Sequence, residues 1–226
     1  MNILMVLTSH DELGTTGYRT GFWFEDFTAP YYAFLDAGAD LTLASPRGGS
    51  PPIDPRSIAA NVPVATIERF RADPLARTLL SDTLRLEQID IRDFDGAYFP
   101  GGHGGMWDLA TDTHCGALVT GLVTAGKTIA LVGHSPVALL NAFDGTGHPL
   151  AGGRNLTCFS NSEESAAGLK GALPYSLQDE LIRLGANYSK AQDGAPHVVQ
   201  DGALITGQNA ASALDAANRM LKTLRR

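Results

Sequence analysis

Thr128-Ile129-Ala130-Leu131-Val132-Gly133-His134-Ser135-Pro136 carries an unbroken apolar run directly into a turn, and a second apolar stretch, 137–143, follows at once. Five aliphatic and β-branched residues without polar alternation read as a strand buried on both faces, the pattern of a parallel sheet. Working outward, residues 3–7, 41–44 and Gly96–Phe99 have the same character. Between them lie helix candidates with start and stop signals: 21–37 ends at Gly38, 74–86 begins with Pro74, and 114–125 stops at Gly126. Strand and helix alternating in this way predict a mostly parallel sheet with helices on both faces, a three-layer α/β sandwich. Downstream, 155–159 and 198–206 read as further strands, 137–143 as a short apolar helix and 211–224 as a closing helix. The Pro/Gly-rich stretch 46–55 reads as a loop, and no repeat or linker divides the 226 residues, so one domain over 1–226 is expected.

Composition narrows the function classes. Hydrophobic residues make up 44% of the chain and charged residues 18%, the balance of an ordinary globular protein. The formal charge is −7, and the densest basic group, Lys222, Arg225 and Arg226, reads as a helix terminus, so no nucleic-acid partner is expected. Cys115 and Cys158 are too few for a disulfide framework and lack a metal-ligand spacing, which predicts a reducing cytoplasm and no metal. The run 3–7 has no basic flank and is too short for a signal or membrane segment. No membrane partner follows from it, and the sequons at Asn155 and Asn187 are chance matches.

In a doubly wound sheet the site lies beyond the carboxyl ends of the strands. Three places qualify. Pro100-Gly101-Gly102-His103-Gly104-Gly105 follows Gly96–Phe99, and its glycines can turn backbone N–H groups toward an anion or a developing oxyanion, or can simply make a tight turn. Gly133-His134-Ser135-Pro136 has the sharp strand-to-helix turn of a nucleophile elbow. Ser160-Asn161-Ser162-Glu163-Glu164 offers a helix cap and two carboxylates, so that cap and catalytic acid are both open roles.

Thr8-Ser9-His10, Thr20-Gly21-Phe22-Trp23, Ala44-Ser45-Pro46-Arg47-Gly48-Gly49, Pro100 to Gly104 and Gly185-Ala186-Asn187-Tyr188 together resemble the DJ-1/PfpI superfamily, nearest its stress-inducible glyoxalase and chaperone branch. The resemblance spans nearly the whole chain. It implies a flavodoxin-like sandwich, usually a homodimer, with a Cys-His pair at the elbow, an acid orienting the His and a Glu on the first helix touching the thiol. Carried over, His134 matches the elbow His, Glu164 its acid, and Asp26, rather than the neighbouring Glu25, the first-helix acid one carbon shorter. The nucleophile itself is replaced by Gly133, and the usual Gly-x-Asn-Pro near the C-terminus has become Gly207-Gln208-Asn209-Ala210.

Glycine adopts the strained backbone conformation of such an elbow without strain and deletes the thiolate, leaving space for a water or a substrate atom. Two expectations compete. The first is a cofactor-independent enzyme on a small carbonyl substrate, performing hydration, elimination, isomerisation or hydrolysis: Asp26 moves protons, His134 oriented by Glu164 acts as acid or base, and Gly101, Gly102, His103, Gly133 and Ser135 bind substrate or its oxyanion. The second is a non-catalytic relative that binds a small molecule or acts as a holdase. A third reading makes Ser135 the nucleophile of a serine hydrolase with His103 or His197. Asp26 is expected to have a pKa raised by burial and by nearby Glu164. His114 and His148 read as surface residues, His10 and His197 as satisfied histidines, Trp23 and Trp107 as packing or pocket wall, and His103 as a pocket-rim residue.

Overall fold

A computed structural model describes residues 1–58, 64–169 and 171–225. Arg226, the last of the basic trio, lies outside them. The chain runs β1 (Asn2–Val6), α1 (Phe24–Asp36), β2 (Asp40–Ser45), α2 (Ala65–Ala72), α3 (Pro74–Ser81), β3 (Leu84–Arg85), β4 (Gly96–Phe99), α4 (Thr113–Thr124) and β5 (Thr128–Val132). It continues with β6 (Asn155–Leu156), α5 (Asn161–Ala166), α6 (Leu177–Arg183), β7 (Asn187–Tyr188), β8 (Val198–Asp201), β9 (Leu204–Gly207) and α7 (Ala213–Leu224). Seven strands form one sheet in the order β3-β2-β1-β4-β5-β9-β8. Every pairing in it is parallel except β8 with β9. This is the mostly parallel α/β sandwich that the apolar runs predict, in the flavodoxin-like form that the family resemblance implies.

Period-2 geometry divides each buried strand between two cores. Ala97, Phe99, Ile129 and Leu131 face the core beneath α4, with Leu118, Val119 and Leu122. Tyr98, Ala130 and Val132 face the opposite core, with Phe27 and Phe34 of α1 and Met220 of α7. Each large aliphatic side chain removed from water here contributes about 1.5–3 kcal/mol. Strand order reverses beside β1, which has β2 on one side and β4 on the other, and the site is built past the carboxyl ends of β4 and β5.

Several boundaries differ from the sequence reading. The helix expected over 74–86 stops at Ser81, because Thr83 exchanges backbone hydrogen bonds with Gly49 and Leu84–Arg85 pairs with β2 as an edge strand. The expected apolar helix 137–143 is only a 3-10 turn over Ser135–Leu139, fully buried. Of 155–159 only Asn155–Leu156 is strand, and it pairs with β7 in a separate two-stranded sheet. The run 198–206 folds back on itself at Gly202, φ +61°, as β8 and β9. The helices expected at 21–37 and 211–224 begin at Phe24 and Ala213.

Candidate active site

The turn after β5 is pinned at both backbone groups of Gly133: its N–H donates to Gly207 O (2.9 Å), and its carbonyl accepts from Phe159 N–H (2.9 Å). Gly133 sits at φ +62°, the left-handed region that glycine occupies without strain. A Cβ placed there would rest in ordinary van der Waals contact with Asp26 Oδ2 and Gly101 Cα, each at 3.5 Å, without a clash.

Asp26 enters from the first turn of α1. Pro30, four residues on, has no N–H to bond the Asp26 carbonyl, so the helical ladder is broken at this residue. The side chain is 2% exposed, and its Oδ1 has no hydrogen-bond partner among the described residues. Burial, reinforced by the charge of Glu25 and opposed by a hydrogen bond from the Gly101 amide, pushes its pKa up to about 8. The expected contribution of Glu164 is absent, because that carboxylate is engaged elsewhere; Glu25 supplies the like charge instead.

Glu164 receives two imidazoles. His134 Nε2 lies 2.7 Å from Oε2, and His103 Nε2 lies 2.8 Å from Oε1. Burial alone would raise its pKa, but the hydrogen bonds from His103 and His134 outweigh that and hold it well below the usual carboxylate range. An ionised carboxylate only accepts, so both histidines donate from Nε2. His103 is therefore not a rim residue but a 5%-exposed partner of the same acid. Its imidazole rests 4.0 Å, centroid to centroid, from that of His134, and Phe159 covers His134 from another side at 4.7 Å.

Arg56, which sequence reasoning missed, completes the chain. Its Nη2 donates to His103 Nδ1 at 3.0 Å, while its guanidinium is held by Asp54, whose Oδ2 accepts from Thr20 Oγ1 (2.9 Å). A guanidinium cannot accept, so His103 carries its proton on Nε2 and stays neutral; burial and the neighbouring His134 hold its pKa at about 4. The only sequence signal for Arg56 was Asp54-Pro55, which caps a 3-10 turn over Pro55–Ser57.

Of the two acids, Glu163 is the one that caps, and Glu164 is the one that faces the histidines. Glu163 completes a capping box with Ser160 at the start of α5 and accepts from Asn209 Nδ2 (2.8 Å) and Gly194 N–H (3.0 Å). Asn209 belongs to the altered segment Gly207-Gln208-Asn209-Ala210, so that segment ties the last strand to α5. The capping box fixes the helical register that turns Glu164 to the histidines.

Other expected residues are placed as follows. The Ser135 hydroxyl accepts from Val132 N–H (2.7 Å) and lies 2.7 Å from Phe99 O; it is 2% exposed and no histidine bonds it. His103 is taken up by Arg56 and Glu164, and His197 bonds Ser189 (3.0 Å), so Ser135 has no base. Gly101 must lack a side chain, since a Cβ would fall 2.3 Å from Asp26 Oδ2, and its amide bonds Asp26 rather than standing free. Neither the Gly102 nor the His103 amide donates a hydrogen bond outside the 3-10 turn among the described residues. Cys115 and Cys158 are fully buried, and burial raises both thiols far above the usual range. His10 stacks on Trp107 (4.9 Å), and His114 and His148 are exposed.

Asp26, Gly133, His134, His103, Arg56 and Phe159 line one cleft of about 590 Å³, within the range of small-molecule sites. His103, His134 and Glu164 present three ligand atoms within 4.8 Å of one another, a spacing a metal ion would accept. Arg56 opposes that use: it forces the proton onto His103 Nε2, the nitrogen such an ion would need. The histidine pair is thus arranged to hold a carboxylate rather than a cation.

The model of the DJ-1/PfpI family matches residues 20–223. The chain belongs to this family. Among its relatives, the glutathione-independent glyoxalase hsp3101 of Schizosaccharomyces pombe is 28% identical over 218 residues, covering 91% of this chain and 88% of the relative. Among solved structures, the 24 kDa Rapid Encystment Protein of Francisella tularensis superposes with a TM-score of 0.94 at 34% identity, covering 99% and 98% of the two chains. Glyoxalase III from Candida albicans gives 0.90 at 25% identity, covering 99% and 97%. Within the family fold, Gly133 occupies the elbow after β5, and no helix among the described residues is long and apolar enough to cross a membrane.

Proposed function

We propose that this DJ-1/PfpI protein is a cofactor-independent enzyme acting on a small carbonyl compound by acid-base catalysis, without a protein nucleophile. One observation carries the proposal: a buried carboxyl group with a pKa of about 8 faces Gly133 in the same cleft as the His134–Glu164 pair. A group poised near neutrality can both give and take a proton during turnover. Asp26 moves the proton at carbon, His134 held by Glu164 serves the substrate oxygen, and the Gly102 amide stabilises negative charge developing there. His103 and Arg56 act through Glu164 as positioning residues. The glyoxalase names of several relatives support a small carbonyl compound as the substrate. The reaction class is a proton-transfer reaction such as isomerisation, hydration or elimination.

The test is a screen of small aldehydes and ketones followed by Asp26→Asn. An acid-base enzyme loses at least ~10²-fold in kcat. A binding module instead keeps its ligand within about 1–2 kcal/mol, the scale of one hydrogen bond, and shows no turnover to lose. An unchanged kcat in Asp26→Asn contradicts the proposal.

A further inference from the structure

Among the described residues that line the cleft, Arg56 is the one arginine or lysine. A guanidinium has five N–H donors. The Nε group of Arg56 and one hydrogen of its Nη2 go to Asp54, and the other Nη2 hydrogen goes to His103 Nδ1. Both hydrogens of Nη1 are left without an acceptor among the described residues. The Arg56 side chain is 36% exposed, whereas Asp54 is fully buried and also accepts from Thr20, so the guanidinium is held in place with one nitrogen uncommitted. The nearby acids are engaged elsewhere: Glu163 with Ser160, Asn209 and Gly194, Asp193 with Lys190 and Ser162, and Glu164 with the two histidines. One nitrogen of a guanidinium that already pairs with an aspartate suits a singly charged carboxylate better than a phosphate dianion. Asp26 bonds the Gly101 amide and Arg56 bonds the His103 side chain, so acid and cation stand at either end of the short run 101–103. Asp26 Oδ1, buried and without a partner among the described residues, is a second polar atom that calls for a ligand. The same cleft has an apolar wall in Phe159, Ala166, Ala167 and Leu169, and its volume of about 590 Å³ suits a ligand well beyond three carbons.

We infer that the substrate is a 2-oxo acid with an apolar side chain, its carboxylate taken by Arg56 Nη1 and its side chain lying along the wall of Phe159 and Leu169. This rests on the acid-base reading of Asp26 and names the substrate class for it. Arg56 then has a role of its own besides fixing the His103 tautomer: it selects a carbonyl compound that carries an acid over a neutral one. The reaction open to such a substrate is enolisation, R–CH₂–C(=O)–CO₂⁻ to R–CH=C(OH)–CO₂⁻. Asp26 in its carboxylate form removes a proton from the carbon next to the carbonyl. The C–H electron pair becomes the carbon–carbon double bond, and the carbonyl π pair moves onto oxygen, which takes a proton carried by His134. In the reverse direction Asp26 returns its proton to carbon as the hydroxyl gives up its own. One C–H bond breaks as one O–H bond forms, and no oxidant or reductant is needed.

The native protein is assayed with phenylpyruvate and with its methyl ester in deuterated water, following loss of the C3 proton signal by NMR. Exchange of phenylpyruvate should saturate, with kcat/KM at least ~10-fold above that of the ester, the scale of one charge-assisted hydrogen bond. Asp26→Asn should lower kcat by at least ~10²-fold. Arg56→Gln should raise KM for phenylpyruvate at least ~10-fold while leaving KM for the ester within about 2-fold, so that the preference for the acid disappears. A residue that only positions His103 would instead lower kcat for both compounds alike and keep the preference. Should Arg56→Gln fail to fold, the ratio of acid to ester in the native protein still decides. Exchange of both compounds at the solvent rate overturns the inference. Equal kcat/KM for acid and ester, with exchange that collapses in Asp26→Asn, also overturns it while leaving the acid-base proposal standing. Exchange above the solvent rate that is unchanged in Asp26→Asn overturns both.

Discussion

At the scale of single residues, Gly133 and Asp26 define this site. Replacing Gly133 by Cys places a thiol against the Asp26 carboxyl and beside His134, so its pKa is expected below the model-peptide value of ~8.5. Rates of alkylation against pH measure it, and a value at or above ~8.5 contradicts the placement of the elbow. The variant should also melt lower, because a non-glycine residue at φ +62° costs about 1–3 kcal/mol. Asp26 has a stability signature of its own. Its pKa is about 8 in the folded chain against ~3.9 for an ordinary aspartate, so the folded state retains a proton that the unfolded chain releases. That contribution is fully present below pH ~4 and is lost as pH rises through about 8. Asp26→Asn should therefore gain stability relative to the native chain across that window in denaturant titrations, and a difference independent of pH would contradict the raised pKa.

At the scale of elements, the strands that carry the site were legible because burial on both faces leaves an unbroken apolar run. The site residues immediately after Phe99 and Val132 followed from that placement, and Glu164 and Asp26 from the family resemblance. What stayed hidden is tertiary. The early end of α3 depends on Thr83 pairing with Gly49, 34 residues away, which no local pattern encodes. Arg56 reaches His103 across 47 residues from a turn with no periodicity, so its lock on the tautomer could not be read from sequence. Which of Glu163 and Glu164 caps the helix and which faces the histidines was undecidable from their adjacency and is set by the turn of α5. That helix start gives a further expectation. Ser160→Ala removes the N-cap and one Glu163 partner and should cost about 1–2 kcal/mol, lowering Tm by roughly 2–8 °C, with Ser160→Thr restoring most of it. A thermal melt unchanged by Ser160→Ala would show that tertiary packing alone holds α5.

At the scale of the whole molecule, the sheet supplies a rigid frame whose strand order opens one cleft beside β1, β4 and β5. Around that cleft the charges are sorted by environment. Glu164 is held ionised by two imidazoles, while Asp26, denied any such donor except the Gly101 amide, is left with a proton near neutrality. Two carboxyl groups pushed apart in pKa on either side of the cleft wall are the physical basis for proposing Asp26 as the proton-transfer group and Glu164 as the one that orients His134. The measurement that tests this most directly needs no substrate: a pH titration of the carboxyl infrared bands, taken as the difference between the native protein and Asp26→Asn. The expected result is a protonated carboxyl band that disappears with a midpoint of about 8 in the native protein and is missing from the variant; a midpoint near the model-peptide value of ~3.9 would contradict the account.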